Sequence, residues 1–346
     1  MKKTALVLAA VMVFGMFGCS SGKQELYVYN WGANIDPEIN KMFEEEFNCR
    51  IIYETYDSNE SMYVKVKQGS NSYDVIFPSD YMIEKMIKED MLHEINKENI
   101  PNIANIQPYL LNREFDPGNK YSVPYFWGTF GILYNTEMVE GPVESWSVLW
   151  DEKYSKQILM YDSQRDSLGL ALKYLGYSMN SRDPKELKEA EELLIKQRPL
   201  VLAYYTDQIM EMMMGEEAAI GVVYSGDAVF AMYENDKLAY AVPKEGSNVW
   251  FDSTAIPKTA KNKELAEQYI NFLCRDEISR MNTEEVMYST ANKNLEAELR
   301  GSDWANNDTY FPTEEILKRC EIFKDPGDFI DAYSDAWERV RGSGSN

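Results

Sequence analysis

Short apolar runs alternate along this chain with stretches whose apolar positions recur every three or four residues. Leu26-Tyr27-Val28-Tyr29 is a continuous apolar run ending at Asn30-Trp31, which reads as a buried strand entering a loop. Asp36 and Pro37 then supply N-cap and first-turn chemistry, and Ile39, Met42, Phe43 and Phe47 share one helical face. Ile51-Ile52-Tyr53 predicts the next strand and residues 60–68 a helix. Residues 74–77 predict a strand stopping at Pro78-Ser79, and Ile83, Met86 and Ile87 a further helix. This βαβα succession predicts a parallel sheet covered by helices. Ligands of such sheets gather beyond the carboxyl ends of the strands, where Trp31 and Ser79-Asp80-Tyr81 fall.

Tyr125-Phe126-Trp127-Gly128 and Gly131-Ile132-Leu133-Tyr134-Asn135 change the pattern and place a domain crossing there. Residues 145–154 read as a surface helix. A strand at 158–162 leads through Ser163-Gln164-Arg165-Asp166 into a helix ending near Leu175. Residues 183–197 form a charged helix with a solvated face. Strands follow at 200–204, 218–224 and 238–242, with Ser225-Gly226-Asp227 opening a helix after the second. Met210, Met213 and Met214 read as core packing. The chain crosses back near Trp250, enters a helix at 263–274, runs as a loop over 288–294, and ends in helices at 313–320 and 329–340 that pack on the second lobe.

The expected organisation is therefore a signal at 1–18, a lipid-anchored linker at 19–24, and a first lobe of 25–131 with 253–297. A second lobe of 132–252 with 298–341 and a disordered tail at 342–346 complete it.

Within Val249–Pro257, Trp250 and Asp252 stand two residues apart, so an extended backbone points both the same way. A ring face and a carboxylate on one wall suit an organic cation with an apolar stem. The alternative is a core Trp beside an exposed Asp.

Composition sharpens this picture. The formal charge is −22, with 24 Tyr, 14 Phe and 7 Trp in 346 residues. Such a surface repels phosphate backbones, which excludes nucleic acid as a partner, and it attracts cations. The single histidine, His93, sits at the end of a predicted helix, and there is no His cluster to build a zinc site. No GxSxG, P-loop or GxGxxG motif occurs. Lys2 and Lys3 precede an apolar run from Ala5 to Phe17, the pattern of a secretory signal. Cys19 follows Met16-Phe17-Gly18 in a segment that resembles a lipobox, so Cys19 is the expected lipidation site. Cys49, Cys274 and Cys320 remain, an odd number expected to be buried or inert thiols.

A set of segments in consistent order resembles the spermidine/putrescine-binding proteins of ABC-type polyamine importers. These include Tyr29-Asn30-Trp31, the run from Tyr56 to Tyr63, Pro78-Ser79-Asp80-Tyr81, Phe115-Asp116-Pro117 and Pro124-Tyr125-Phe126-Trp127-Gly128. Leu175-Gly176-Tyr177-Ser178, Pro243-Lys244-Glu245-Gly246, the run from Trp250 to Pro257 and Ile270-Asn271-Phe272-Leu273 complete the set, which covers nearly the whole mature chain. The resemblance implies an α/β, two-lobed periplasmic-binding-protein fold of the class II type, each lobe a mixed sheet flanked by helices, with ligand in the interlobe cleft. It places Trp31, Ser79, Tyr81, Trp250, Asp252 and Tyr288 on ligand-contacting positions, and Asp166 where such receptors hold a terminal amine. Tyr224 falls where Trp is more usual, and Asp227 matches the carboxylate of the putrescine-binding branch. Gly32, Asn34, Ser163 and Phe323 depart from the spermidine pattern, which implies putrescine favoured over spermidine.

The implied partners are putrescine or spermidine, the transmembrane permease subunits of an ABC importer, and a membrane reached through the lipid anchor. A monomer is expected, periplasmic or at the cell surface, with no cofactor, no metal and no catalytic activity. Three other readings stay open. The same fold could take an amino acid, a sugar or ferric ion. Paired carboxylates near rings could serve a glycosidase. A surface lipoprotein could act as an adhesin or antigen.

Overall fold

In the computed structural model the described residues are 22–69, 72–302 and 307–343. The expected signal at 1–18, Cys19 and the rest of the linker through residue 21 lie outside them, as does the tail from residue 344.

The first lobe opens with β1 (Gln24–Trp31), α1 (Pro37–Glu46), β2 (Cys49–Tyr56), α2 (Asn59–Gln68), β3 (Val75–Ile76) and α3 (Asp80–Lys88). The helix starts follow their side chains. Asp36 accepts from the Glu38 amide and Ser58 from the Ser61 amide. Gly69 ends α2 in the left-handed region at φ +64°, a conformation a Cβ would strain. β1 lies parallel between β2 and β3, as the βαβ pattern requires.

β4 (Ser122–Asn135) is buried along its entire length. The second lobe follows with β5 (Ile158–Tyr161), α4 (Gln164–Tyr174), α5 (Pro184–Gln197), β6 (Val201–Tyr205), α6 (Gln208–Met214), β7 (Ile220–Tyr224), α7 (Ser225–Glu234) and β8 (Leu238–Ala241). β9 (Val249–Ala255), α8 (Lys263–Leu273), α9 (Asp276–Val286), β10 (Ser289–Thr290) and α10 (Lys293–Leu299) return to the first lobe, and α11 (Glu314–Arg319) and α12 (Ile330–Gly342) close the chain. The strand order is β2-β1-β3-β9-β4-β7-β5-β6, with β8 and β10 each paired to β4.

β4 is the shared ribbon. Its residues 122–129 pair antiparallel with β9, and its residues 130–135 pair with β7 and β8. One apolar core gathers β1–β3, the start of β4, β9 and α8; a second begins at Phe130 and takes in β5, β7, α4, α5 and α12. These cores correct the expected lobe boundaries. Val249 to Asp252 group with the first lobe, because β9 pairs along residues 122–129 of β4, with one bulge between Pro124 and Phe126, and buries Trp250 and Phe251 in the first core. Residues just after 298 also stay with the first lobe: the Thr290 amide donates to the Tyr310 hydroxyl, and the Ser289 hydroxyl donates to the Tyr310 carbonyl. A third crossing passes at Glu321, whose backbone bonds Ser247 and Val249 at 2.8 and 3.0 Å.

Other expectations shift as well. Residues 145–154 form two short 3₁₀ turns and are not a surface helix. Trp146 and Leu149 are fully buried there, with the Trp146 indole N–H donating to the Gly246 carbonyl. Ser289–Thr290, expected as loop, pairs with Trp127 and Phe126 of β4. α9 went unpredicted. His93 lies five residues past α3, its amide donating to Ile256. Cys49 and Cys274 are buried free thiols and Cys320 is a partly buried one.

Candidate functional site

Between the lobes lies a cleft of about 870 Å³, and every residue expected at the site lines it: Trp31, Ser79, Tyr81, Asp166, Tyr224, Asp227, Trp250, Asp252 and Tyr288. The elements explain the gathering. β1 ends at Trp31, and α3 begins just after Ser79. Asp166 lies in the first turn of α4, and Asp227 in the first turn of α7 just beyond Tyr224, the last residue of β7. These are the carboxyl ends of strands from two lobes turned toward one another. β9 is extended, so Trp250 and Asp252 share its cleft-facing side.

Asp252 is 6% exposed and accepts from the Ser79 hydroxyl at 2.6 Å. Ser79 is held for this role: its amide donates to the Asn59 side chain, and the Asn59 amide group donates back to its hydroxyl. Ser79 occupies a helix N-cap position yet makes no capping bond, so its hydroxyl is committed to the carboxylate. Burial pushes Asp252 up to about 7, against the hydrogen bond from Ser79, which lowers it. Burial likewise pushes Asp227 up to about 7 and Asp166 to about 6, each eased by a hydroxyl donor. Tyr288 donates to Asp227 at 3.2 Å and Tyr224 to Asp166 at 3.1 Å. No ion pair to Asp166, Asp227 or Asp252 forms among the described residues. The site thus holds three carboxylates that receive hydroxyl side chains and form no ion pair among the described residues.

The rings are ordered around Trp250. It stands edge-on to Tyr224 at 5.6 Å and 74°, and to Tyr288 at 5.2 Å and 71°. Trp31 packs on Tyr56 at 4.6 Å, its indole N–H donating to the Phe77 carbonyl. Tyr81 donates its hydroxyl to Glu60 at 2.9 Å and meets Phe323 edge-on. Glycines make the close packing possible. A Cβ at Gly226 would lie 1.3 Å from Tyr288, and one at Gly128 would lie 2.4 Å from the Ser225 hydroxyl and 3.0 Å from Trp250.

Several cleft residues escaped the sequence reading. Tyr161 ends β5 and feels the charge of Asp227, Asp166 and Asp252 together; the carboxyl-end rule would have found it. Asp80, which the strand-end rule places at the site without a role, is buried behind Asp252, accepting amides of Tyr81 and Phe251 at 2.7 and 3.1 Å, and burial holds its carboxyl well above the usual range. Glu60, Asp57, Asp207 and Glu211 add acidity toward the rim. Arg165 is the one cationic side chain lining the cleft among the described residues. It is 3% exposed, stacked over Phe323 at 4.6 Å and tied to Asn180 and the Lys324 carbonyl. Met210, expected in the core, reaches the cleft wall. Trp127 stacks on Phe251 behind the site.

An elongated organic cation is the solute this chemistry suits. Carboxylates supply charge-assisted hydrogen bonds to ammonium groups, while rings cover the methylenes and attract the ammonium charge by about 0.5–2 kcal/mol each. No helix of the described residues is long and apolar enough to cross a membrane.

Comparison with known proteins places the chain among relatives. Residues 38–313 match the family described as bacterial extracellular solute-binding protein. The chain is 36% identical over 339 residues to a spermidine/putrescine-binding periplasmic protein of Salmonella typhimurium, covering 97% of each. It is 34% identical to a putrescine-binding periplasmic protein of Pseudomonas aeruginosa, covering 98% of each. Among solved structures, a spermidine/putrescine ABC transporter substrate-binding protein of Streptococcus pneumoniae superposes with a TM-score of 0.80 at 43% identity, over 92% of this chain and 99% of that one.

Proposed function

We propose that this chain, which belongs to the bacterial extracellular solute-binding protein family, captures polyamines and delivers them to the permease of an ABC importer. The observation that carries the reading is the cleft itself: three carboxylates without an ion pair among the described residues, set among aromatic rings, between two lobes. A polyamine at neutral pH is an alkyl chain bearing two or more ammonium groups, each of which loses strong hydration on entry. Asp252 holds one amine, with Trp250 and Trp31 against the methylenes, and Asp227 or Asp166 holds the other. Ser79, Tyr81 and Tyr288 supply the remaining polar contacts. Putrescine is favoured over spermidine, since Gly32, Asn34, Ser163 and Phe323 offer no further carboxylate.

Closure about the crossings at Thr129–Phe130, Asn248–Val249 and Glu321 excludes water and creates the surface that a permease reads. A lipid at Cys19 tethers the receptor to the membrane outside the cytoplasm.

A thermal-shift and calorimetric screen with putrescine, spermidine, maltose, arginine and ferric ion tests the reading. Stabilisation by the polyamines alone supports it. Stabilisation by maltose or iron, with no response to either polyamine, overturns it.

A further inference from the structure

The helix α3 turns one face to the second lobe. Tyr81, Glu84 and Lys88 fall at spacings of three and four, so they stand in one row along it. All three meet the segment that follows the crossing at Glu321. The Tyr81 ring meets Phe323 edge-on at 6.4 Å, Glu84 accepts from the Asp325 amide at 2.9 Å, and Lys88 reaches the Asp325 carboxylate at 3.4 Å. The second lobe fastens the same segment from the other side. Asn180 donates to the Ile322 carbonyl at 2.9 Å and accepts from the Lys324 amide at 2.7 Å, and Arg165 donates to the Lys324 carbonyl at 3.3 Å. Arg182 donates to the Asp325 carbonyl. Residues 322–325 therefore form a strap that the second lobe carries and α3 docks against.

Arg165 is the odd member of this contact. It is a cation lining a cleft whose other charged side chains, among the described residues, are acids. Its charge opposes the solute proposed above, so holding that solute is not its use. It is 3% exposed, and its Nε has no hydrogen-bond partner among the described residues. Rings set its place instead. The guanidinium lies over Phe323 at 4.6 Å, Tyr333 at 5.0 Å and Tyr81 at 5.8 Å. Tyr333 belongs to the second core, Phe323 to the strap, and Tyr81 packs on the first core. One planar cation thus joins three pieces of the chain across the lobes.

We infer that α3 and the strap form a latch, with Arg165 as its pin, that sets how long the closed lobes stay closed. The inference rests on the polyamine reading only for the solute used to read it. Arg165 is a positioning residue, acting through Tyr81, a ring that lines the cleft and is held by its hydrogen bond to Glu60 at 2.9 Å. When the lobes part, Tyr81 must leave the guanidinium and Phe323, and Glu84 must leave the Asp325 amide. The bonds from Asn180 and Arg182 stay within the second lobe. A solute entering parted lobes breaks none of these contacts, whereas a solute leaving closed ones waits for all of them. The latch therefore slows release and leaves capture nearly unchanged. The half-exposed Lys88 adds little to it.

Stopped-flow putrescine binding, followed by tryptophan fluorescence, tests this on the full-length protein and on Arg165→Lys, Arg165→Met and Glu84→Ala. Lysine keeps the charge but cannot stack on three rings. Arg165→Lys is therefore expected to release putrescine as fast as Arg165→Met does, about 3- to 30-fold faster than wild type. Its association rate is expected to stay within about 2-fold of wild type. Glu84 does not line the cleft, and Glu84→Ala is expected to speed release about 3- to 10-fold. Melting temperatures identify a variant that fails to fold, and Glu84→Ala carries the test if both Arg165 variants do. Release at the wild-type rate from Arg165→Lys or from Glu84→Ala overturns the latch and leaves polyamine binding intact. A wild-type protein that binds neither putrescine nor spermidine overturns the polyamine reading instead. The latch is then read from solution scattering, where Arg165→Lys and Glu84→Ala are expected to be more extended than wild type, and an unchanged radius of gyration overturns it too.

Discussion

Tyr288 of the first lobe donates its hydroxyl to Asp227 of the second at 3.2 Å, with the backbone of Gly226 directly against its ring. The bond runs from lobe to lobe and ends on a carboxylate that faces the cleft. Lobe contact therefore falls on a carboxylate proposed above as a ligand anchor.

Gly226 should accordingly be intolerant of even one methyl group. A Cβ there falls within the Tyr288 ring, so Gly226→Ala must displace the ring or part the lobes. Putrescine affinity is expected to fall at least about 10-fold, in keeping with the cost of overpacking, about 1–3 kcal/mol. The melting temperature of the empty protein should fall as well, because the Tyr288 ring packs against the first core. Calorimetry and a thermal scan on the same sample decide it. An unaltered affinity would mean that the ring has room to move.

Asp252→Asn removes the carboxylate proposed as the central anchor. An ammonium facing it would be buried without its counter-charge, at a cost of roughly 2–5 kcal/mol of binding. Titration with putrescine should show this loss, and an unchanged affinity would contradict the assignment.

Acidity gives a further handle. Asp252 and Asp227 are raised by burial to about 7 and Asp166 to about 6, from an ordinary 3.8. The folded, empty protein therefore binds more protons than the unfolded chain between about 3.8 and 7. This contribution to stability is complete below the ordinary carboxylate value and is lost as pH rises through 6 to 7. Ligand amines stay charged across that window and need ionised partners. Putrescine affinity should rise from pH 5 to pH 8, with protons released on binding at the lower pH. Calorimetry in two buffers of different ionisation heat measures that release, and a flat pH profile would show that the anchors are already ionised.

Ser79→Ala separates the hydroxyl from the carboxylate it serves. The Ser79 bond is what lowers Asp252 against burial, so without it the carboxyl should rise further. The midpoint of the affinity–pH profile is expected to move to higher pH, with affinity at pH 8.5 reduced less than at pH 7. A uniform reduction at every pH would assign Ser79 a direct ligand contact instead.

On the far side of the cleft the segment after Glu321 ties the lobes. Lys88 of α3 reaches Asp325 at 3.4 Å, and the Asp325 amide donates to Glu84 at 2.9 Å. Lys88 is 53% exposed, so this pair is worth less than about 1 kcal/mol. Lys88→Met should speed ligand release a few-fold at most, with a smaller effect in high salt. A large change by stopped flow would show that the tie controls closure.

The sequence reading reached the strands and the site by different routes. The strands were legible because parallel strands buried on both faces read as unbroken apolar runs, as Leu26 to Tyr29 does. Trp250 and Asp252 were legible because a spacing of two on a strand fixes a shared face. Placing Val249 to Asp252 in the second lobe was the error of local reasoning, since the pairing of β9 with β4 is invisible in either segment alone. Trp146 was misjudged for a similar reason: its partner, the Gly246 carbonyl, lies a hundred residues away. Arg165 went unremarked because a basic residue among acids suggests a surface ion pair, whereas the structure buries it on aromatic rings.

One strand, β4, belongs to both lobes and turns from one sheet to the other between Thr129 and Phe130 without leaving extended conformation. A hinge made of ribbon cannot lengthen or slide as a loop can; it only twists. The two halves are thereby geared to a common axle, and whatever grips the solute also sets the angle of the outer faces. On the reading proposed above, a single chemical event inside would be felt outside as a change of shape.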